Sequence, residues 1–313
     1  MGTLWHNCHF APPVPLDSKV FPFRRFSFVK VRFSTRIDPI LCSRAKSLKM
    51  ATSERSPAVE QQRVVISNSH DEKIVGLLHE TGSREIVILC HGFRANKNHR
   101  IMTNVAAALE NEGLTAFRFD FSGNGESQGN FQYGHYYREA DDLRSVIQHF
   151  SNMNRVVTAI LGHSKGGDVV LLYASKYHDI PNVVNVSGRY DLKRGIGERI
   201  GEDFLERIKQ NGFINVKDKN GNSGYRVTEE SLMDRLNTNM QEACLKIDRE
   251  CRVLTVHGSV DEIIPVEDAM EFDKIIPNHK LHIVEGADHG YSNHQSELIS
   301  LVLDFIKAGI AKI

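Results

Sequence analysis

A serine set between glycines, Gly162-His163-Ser164-Lys165-Gly166, is the segment of this chain most suited to chemistry. It falls between an apolar run, residues 155–161, and a helical pattern, residues 167–177. A tight strand-to-helix turn lifts the Ser164 hydroxyl clear of the sheet, and Gly162 and Gly166 leave room for the close backbone approach. The helix start that follows favours developing negative charge. That combination points to acyl transfer by a nucleophilic serine, the plainer reading being a helix cap. A serine hydroxyl needs a base to take its proton. The chain has fifteen histidines, so position must choose among them. His289, in Gly286-Ala287-Asp288-His289, follows the last apolar strand pattern, where functional residues of a parallel sheet gather. His257 and His282 fall inside strand patterns and read as structural, and His163 is expected to point away from its neighbour. An orienting carboxylate completes the set. Asp261, in His257-Gly258-Ser259-Val260-Asp261, sits just past the preceding strand, with Glu262 and Asp268 as competitors.

The oxyanion of acyl transfer needs two N–H donors. One is expected from Lys165, the residue after the nucleophile. The other is expected from Phe93, in the turn His91-Gly92-Phe93 that follows the apolar run 85–90. Gly92 permits that turn and His91 is placed to brace it. The stretch Asp120-Phe121-Ser122-Gly123-Asn124-Gly125 carries Gly-x-Gly after a strand but lacks the third glycine of a dinucleotide site, so it reads as a tight structural loop. The sequence has neither a zinc-type Cys/His cluster nor a phosphate-cradling lysine loop, and no metal or cofactor is expected.

The elements that must position these residues are legible as an alternation. Residues 63–67 and 73–79 read as an antiparallel pair turning at 68–72. Strands are expected at 85–90, 114–121, 155–161, 182–186, 252–257 and 280–285. Helices are expected at 99–112, 136–150, 167–177, 266–276 and 297–311. Apolar strands alternating with helices give an α/β fold with a mostly parallel sheet. Residues 189–250 interrupt the pattern with helical pieces at 200–210 and 228–239 around a polar middle, 217–224. An insertion of that length suggests a lid over a cleft.

Charge separates the chain into two parts. Of 39 basic and 39 acidic residues, nine and two fall in residues 1–50, leaving 30 and 37 for the remainder. A mildly acidic body is the wrong sign for a phosphate backbone, which argues against a nucleic-acid partner. No apolar run approaches the ~20 residues of a membrane span, so no stable membrane insertion is expected. Residues 1–55 are basic, acid-poor and Ser-containing, the composition of an organellar transit segment, and the catalytic domain is expected over 60–313. Cys8, Cys42, Cys90, Cys244 and Cys251 are scattered without a C-x-x-C pair and read as reduced thiols.

Taken in order, the His91, Asp120, Ser164, Asp261 and His289 segments resemble the α/β-hydrolase superfamily, most of all the small esterases that include bacterial cinnamoyl (feruloyl) esterases. The resemblance covers about residues 65–312. It implies an α/β-hydrolase fold with an eight-stranded, mostly parallel sheet and a lid insertion, no cofactor, and an acyl-enzyme mechanism on a small-molecule ester. The basic leader resembles those of plant proteins sent to the chloroplast, with mitochondrial import or a cytoplasmic product starting at Met50 as alternatives. A thioesterase, a lipid acylhydrolase or an amidase would use the same three residues. A triad-retaining ligand receptor is the reading from another class.

Overall fold

The computed structural model describes residues 61–217 and 223–311. The basic leader, with Cys8 and Cys42, lies outside the described residues, as does part of the polar middle of the insertion. The elements run β1 (Gln62–Ser67), β2 (Lys73–His79), β3 (Glu85–Cys90), α1 (Arg100–Asn111), β4 (Thr115–Phe119), α2 (Tyr136–Asn152), β5 (Val156–His163), α3 (Lys165–Tyr177) and β6 (Asn182–Val186). There follow α4 (Ile196–Ile200), α5 (Phe204–Asn211), β7 (Phe213–Lys217), β8 (Ser223–Thr228), α6 (Glu229–Asn237), α7 (Met240–Cys244), β9 (Arg252–Gly258), α8 (Glu267–Ile275), β10 (His279–Val284) and α9 (Gln295–Ile310).

Eight strands form one sheet in the order β1-β2-β4-β3-β5-β6-β9-β10. β1–β2 and β2–β4 pair antiparallel, and every later pairing is parallel. The chain lays β4 on one side of β3 and then β5 on the other. The crevice beyond the carboxyl ends of β3 and β5 is therefore the switch point at which parallel sheets bind ligands. The central strands are covered on both faces: every residue of β4 and β6 is buried, Arg118, Asn182 and Asn185 included. One face packs against α2, α3, α7 and α8 through Leu143, Val146, Val169, Leu172, Met240 and Phe272. The other packs against α1 and α9 through Val105, Leu109, Leu298 and Val302. This is the mostly parallel α/β sheet expected from the alternation, and the α/β-hydrolase fold that the resemblance implies. Cys90, Cys244 and Cys251 are buried free thiols. No helix among the described residues is long and apolar enough to cross a membrane.

The insertion departs from expectation. Its first helical stretch is two short helices broken at Gly201 (φ 99°), a backbone conformation that glycine adopts without strain. Beyond them β7 and β8 form an antiparallel two-stranded sheet, which the sequence reading of helical pieces around a polar middle did not include. The insertion builds a small core of its own from Ile196, Ile200, Ile208, Ile214, Val227 and Leu232, and Phe93 packs against it.

Candidate active site

β5 ends at His163 and α3 begins at Lys165, so Ser164 alone makes the turn between them. It adopts φ 56°, ψ −123°, a region costly for a residue with a Cβ. The flanking glycines are needed for space. A Cβ on Gly162 would stand 1.9 Å from the Gly166 carbonyl oxygen, and one on Gly166 would stand 2.5 Å from those of Cys90 and His91. The turn is thus wedged against the end of β3, and a Cβ on Gly92 would meet the Ser164 Cβ at 3.0 Å.

Two strands away, Asp261 and His289 meet. His289 Nδ1 lies 2.7 Å from Asp261 Oδ2, with the Asp261 side chain fully buried and that of His289 15 % exposed. Asp261 Oδ1 accepts the N–H groups of Ile263 and Ile264 at 2.9 and 2.8 Å. Burial would raise the Asp261 carboxyl, but His289 and these two donors outweigh it and hold it below the usual aspartate range. The carboxylate therefore stays ionised and fixes Nδ1 as the protonated nitrogen, which leaves the Nε2 lone pair open. The Ser164 hydroxyl makes no hydrogen bond among the described residues. Such a contact commonly closes only when substrate is bound.

Of the competing carboxylates, Glu262 accepts the backbone N–H of His289 at 3.1 Å. Asp268 instead accepts Tyr190 N–H and Arg194. Asp288 accepts the N–H of Ser292. His257 is buried, with Nε2 2.9 Å from the Ile264 carbonyl, and it props the Asp261 loop from beneath. His163 has a contact that sequence did not signal: its Nε2 lies 2.9 Å from the His289 carbonyl oxygen, and the two rings are 4.8 Å apart, so it ties the Ser164 turn to the His289 loop.

The expected oxyanion donors are unoccupied. Neither Phe93 N–H nor Lys165 N–H has an acceptor among the described residues, and both residues line the cavity that Ser164 faces. His91 braces the loop as expected. Its Nε2 accepts the N–H of Phe121 at 3.1 Å, so Nδ1 carries the proton and donates to the Gly92 carbonyl at 2.8 Å. The Lys165 side chain has a role that sequence did not signal. Its Nζ donates to Glu139 and to the Gly134 carbonyl, both at 2.7 Å, pinning the start of α2 to the nucleophile turn. The Gly-x-Gly stretch is the structural loop expected: the Asp120 carboxylate accepts the N–H groups of Lys97 and Glu126 and the Lys97 ammonium.

Burial lowers His91 to about 4, and burial together with the neighbouring His289 lowers His163 to about 3. Both rings are neutral when folded and protonate in the unfolded chain near the ordinary histidine value of ~6.5. The unfolded state then binds more protons, so stability falls as pH drops from about 6.5 toward 4, by up to ~1.4 kcal/mol per pH unit for each ring. Denaturant melts across that range are expected to follow this slope, and His163→Asn to flatten it. A flat wild-type profile contradicts the assignment.

The cavity beside Ser164 is narrow, about 30 Å³, and its wall includes Tyr136, Asp168, Arg189, Arg199, Arg235, Ile263 and Ile264. A larger groove of about 490 Å³ between Tyr190 and Gln241 contains none of the three candidate catalytic residues.

A family model described as serine aminopeptidase, S33, matches residues 81–242, which include the Phe93 loop and the Ser164 turn. The chain belongs to this family. It is a hydrolase of the α/β-hydrolase class. An uncharacterized protein of Saccharomyces cerevisiae is 25 % identical over 255 residues, 74 % of this chain and 75 % of that one. The monoacylglycerol lipase of Mycolicibacterium smegmatis is 29 % identical over 113 residues, 35 % of this chain and 39 % of the lipase. Among solved structures, Est1E of Butyrivibrio proteoclasticus with bound ferulic acid superposes with a TM-score of 0.70 at 24 % identity, covering 79 % of this chain and 99 % of Est1E, a likeness of fold.

Proposed function

We propose that this hydrolase cleaves a carboxylic ester of a small molecule through an acyl-enzyme, with Ser164, His289 and Asp261 as its catalytic triad. Ser164 Oγ attacks the ester carbonyl while His289 Nε2 takes its proton. Asp261 holds the imidazole and offsets its charge, and the N–H groups of Phe93 and Lys165 receive the oxyanion. The alcohol leaves with the proton from His289. Water then attacks the acyl-enzyme, again losing its proton to His289, and the acid is released as Ser164 regains its hydrogen. The observation that carries this reading is the 2.7 Å bond between His289 Nδ1 and the buried, ionised Asp261, on the sheet edge where Ser164 is held in its strained turn.

Esterase, lipase and aminopeptidase names all occur among this chain's relatives. An aminopeptidase must hold a substrate ammonium, for which a site needs free carboxylates. The wall beside Ser164 offers Asp168 alone against Lys165, Arg189, Arg199 and Arg235, which favours an ester without that ammonium. Parallel kinetics on a short aryl ester, an acyl-CoA, a monoacylglycerol and an aminoacyl anilide test the reading. The aryl ester is expected to lead in kcat/KM by at least about tenfold, ~1.4 kcal/mol of transition-state preference. A leading anilide would overturn it, as would tight binding without turnover.

Two further elements of the proposal concern the rest of the chain. The insertion, about residues 190–250, acts as a lid, a role supported by Arg199 and Arg235 reaching the cavity and by Phe93 packing against its core. Residues 1–55 act as a chloroplast-targeting leader, supported by their excess of basic over acidic residues. A fluorescent fusion of that leader remaining in the cytosol would contradict the second.

A further inference from the structure

The cations in the wall beside Ser164 are unequally matched. Lys165 is neutralised by Glu139. Arg189 and Arg235 are 9 % and 6 % exposed, yet their guanidinium groups meet only neutral acceptors. Arg189 Nη2 donates to the Ile263 carbonyl at 2.5 Å. Arg235 donates from Nε to the Leu192 carbonyl and from Nη1 to Tyr136 Oη, both at 2.8 Å. Among the described residues no carboxylate bonds to either group: Asp168 attracts both, and Asp268 attracts Arg189, only through space. Asp168, the one acid in this wall, directs Oδ1 to the backbone N–H of Arg189 at 2.6 Å and not to its guanidinium. Arg199, exposed on α4, lies over the Phe93 ring at 4.6 Å and lines the same cavity.

A guanidinium withdrawn from water with no carboxylate bonded to it is disfavoured, and two sharing one wall repel each other as well. Such an arrangement is relieved when a bound group supplies the missing negative charge. The planar fork of arginine matches a carboxylate, taking two parallel N–H···O bonds. We infer that Arg189, Arg235 and Arg199 form a subsite for a carboxylate carried by the substrate within a few atoms of the scissile carbonyl. This rests on the ester reading above and narrows it to esters bearing a free acid. Arg189 follows β6 at the sheet edge while Arg199 and Arg235 come from the insertion, so an anion bound there also draws the insertion onto the catalytic edge.

Two matched pairs of esters test this on the full chain. Mono-4-methylumbelliferyl adipate against 4-methylumbelliferyl hexanoate places the charge in the acyl group. 4-Acetoxybenzoate against its methyl ester places it in the leaving group. The anionic member of one pair is expected to lead in kcat/KM by about 10–100-fold, the value of a charge-assisted contact of ~1.5–3 kcal/mol. That ratio is expected to fall toward one in Arg189→Gln and in Arg199→Glu, the latter an exposed position whose change leaves folding alone. Calorimetric titration of adipate into Ser164→Ala reads the subsite without turnover, and saturable binding that is lost on adding Arg189→Gln is expected. Neutral esters favoured in both pairs, or an anionic preference unchanged in both arginine variants, would overturn the inference while leaving the esterase reading intact. If no ester is turned over, that reading fails, and adipate binding still decides for or against the subsite.

Discussion

Replacing Asp261 with asparagine lowers kcat on an aryl ester by about 10⁴-fold, with KM changed by less than about threefold. The size follows from the geometry. Asp261 Oδ2 is the partner of His289 Nδ1 at 2.7 Å, and Oδ1 is anchored by Ile263 and Ile264 N–H. Those two donors keep the oxygen of an asparagine where Oδ1 now sits, so its NH₂ group turns toward His289. An NH₂ there selects the wrong tautomer: Nδ1 becomes the acceptor and Nε2 carries the hydrogen, so the ring no longer takes a proton from Ser164. The fold is expected to remain, since both backbone donors keep their acceptor. Glu262 provides the contrast. It touches only the His289 backbone N–H from an exposed position, and Glu262→Gln is expected to cost less than about tenfold. Comparable losses in the two variants would show that the carboxylate assignment is wrong.

Gly162→Ala is expected to damage both stability and activity, although position 162 never touches substrate in this account. The new Cβ would be set 1.9 Å from the Gly166 carbonyl oxygen and 2.2 Å from its carbonyl carbon. Both are backbone atoms at the start of α3, so no side chain can swing aside, and helix or strand must move. Overpacking of this kind costs about 3 kcal/mol or more, which lowers Tm by roughly 6–12 °C for a domain of this size. Because the displaced segment carries Ser164 and the Lys165 N–H together, a shift of about 1 Å removes ~100-fold or more from kcat. Gly113→Ala is the control. Unlike Gly162, Gly113 has a positive φ, 74°, but nothing lies near its Cβ, so its substitution carries a conformational penalty and no collision. Equal effects at the two glycines would refute the steric argument.

The legible part of this molecule was the part governed by local rules. Ser164 stood out because a strand-to-helix turn needs glycines at fixed offsets. His289 and Asp261 stood out because each follows an apolar strand at its carboxyl end. The sheet itself was readable because a strand buried on both faces, such as 85–90, is an apolar run. The insertion was much less readable. Its β7–β8 pair alternates partly exposed polar and apolar residues on either side of a polar stretch of sequence, a pattern that a loop shares. Arg189 carried a usable signal, lying just beyond β6 at the sheet edge, but Arg199 and Arg235 are surface-type residues on helices whose packing only tertiary structure decides. The His163 contact with the His289 loop was not readable, because alternation along a strand gives the face a side chain takes and not the neighbour it meets there.

The central claim, that Ser164 is a nucleophile activated by His289, is tested most directly by treating the full chain with a fluorophosphonate probe and mapping the modified peptide. The account predicts one stoichiometric adduct on Ser164, formed at least about 10³-fold more slowly in His289→Ala and absent in Ser164→Ala. Labelling at another residue, or unchanged labelling of Ser164 in the His289 variant, would contradict it.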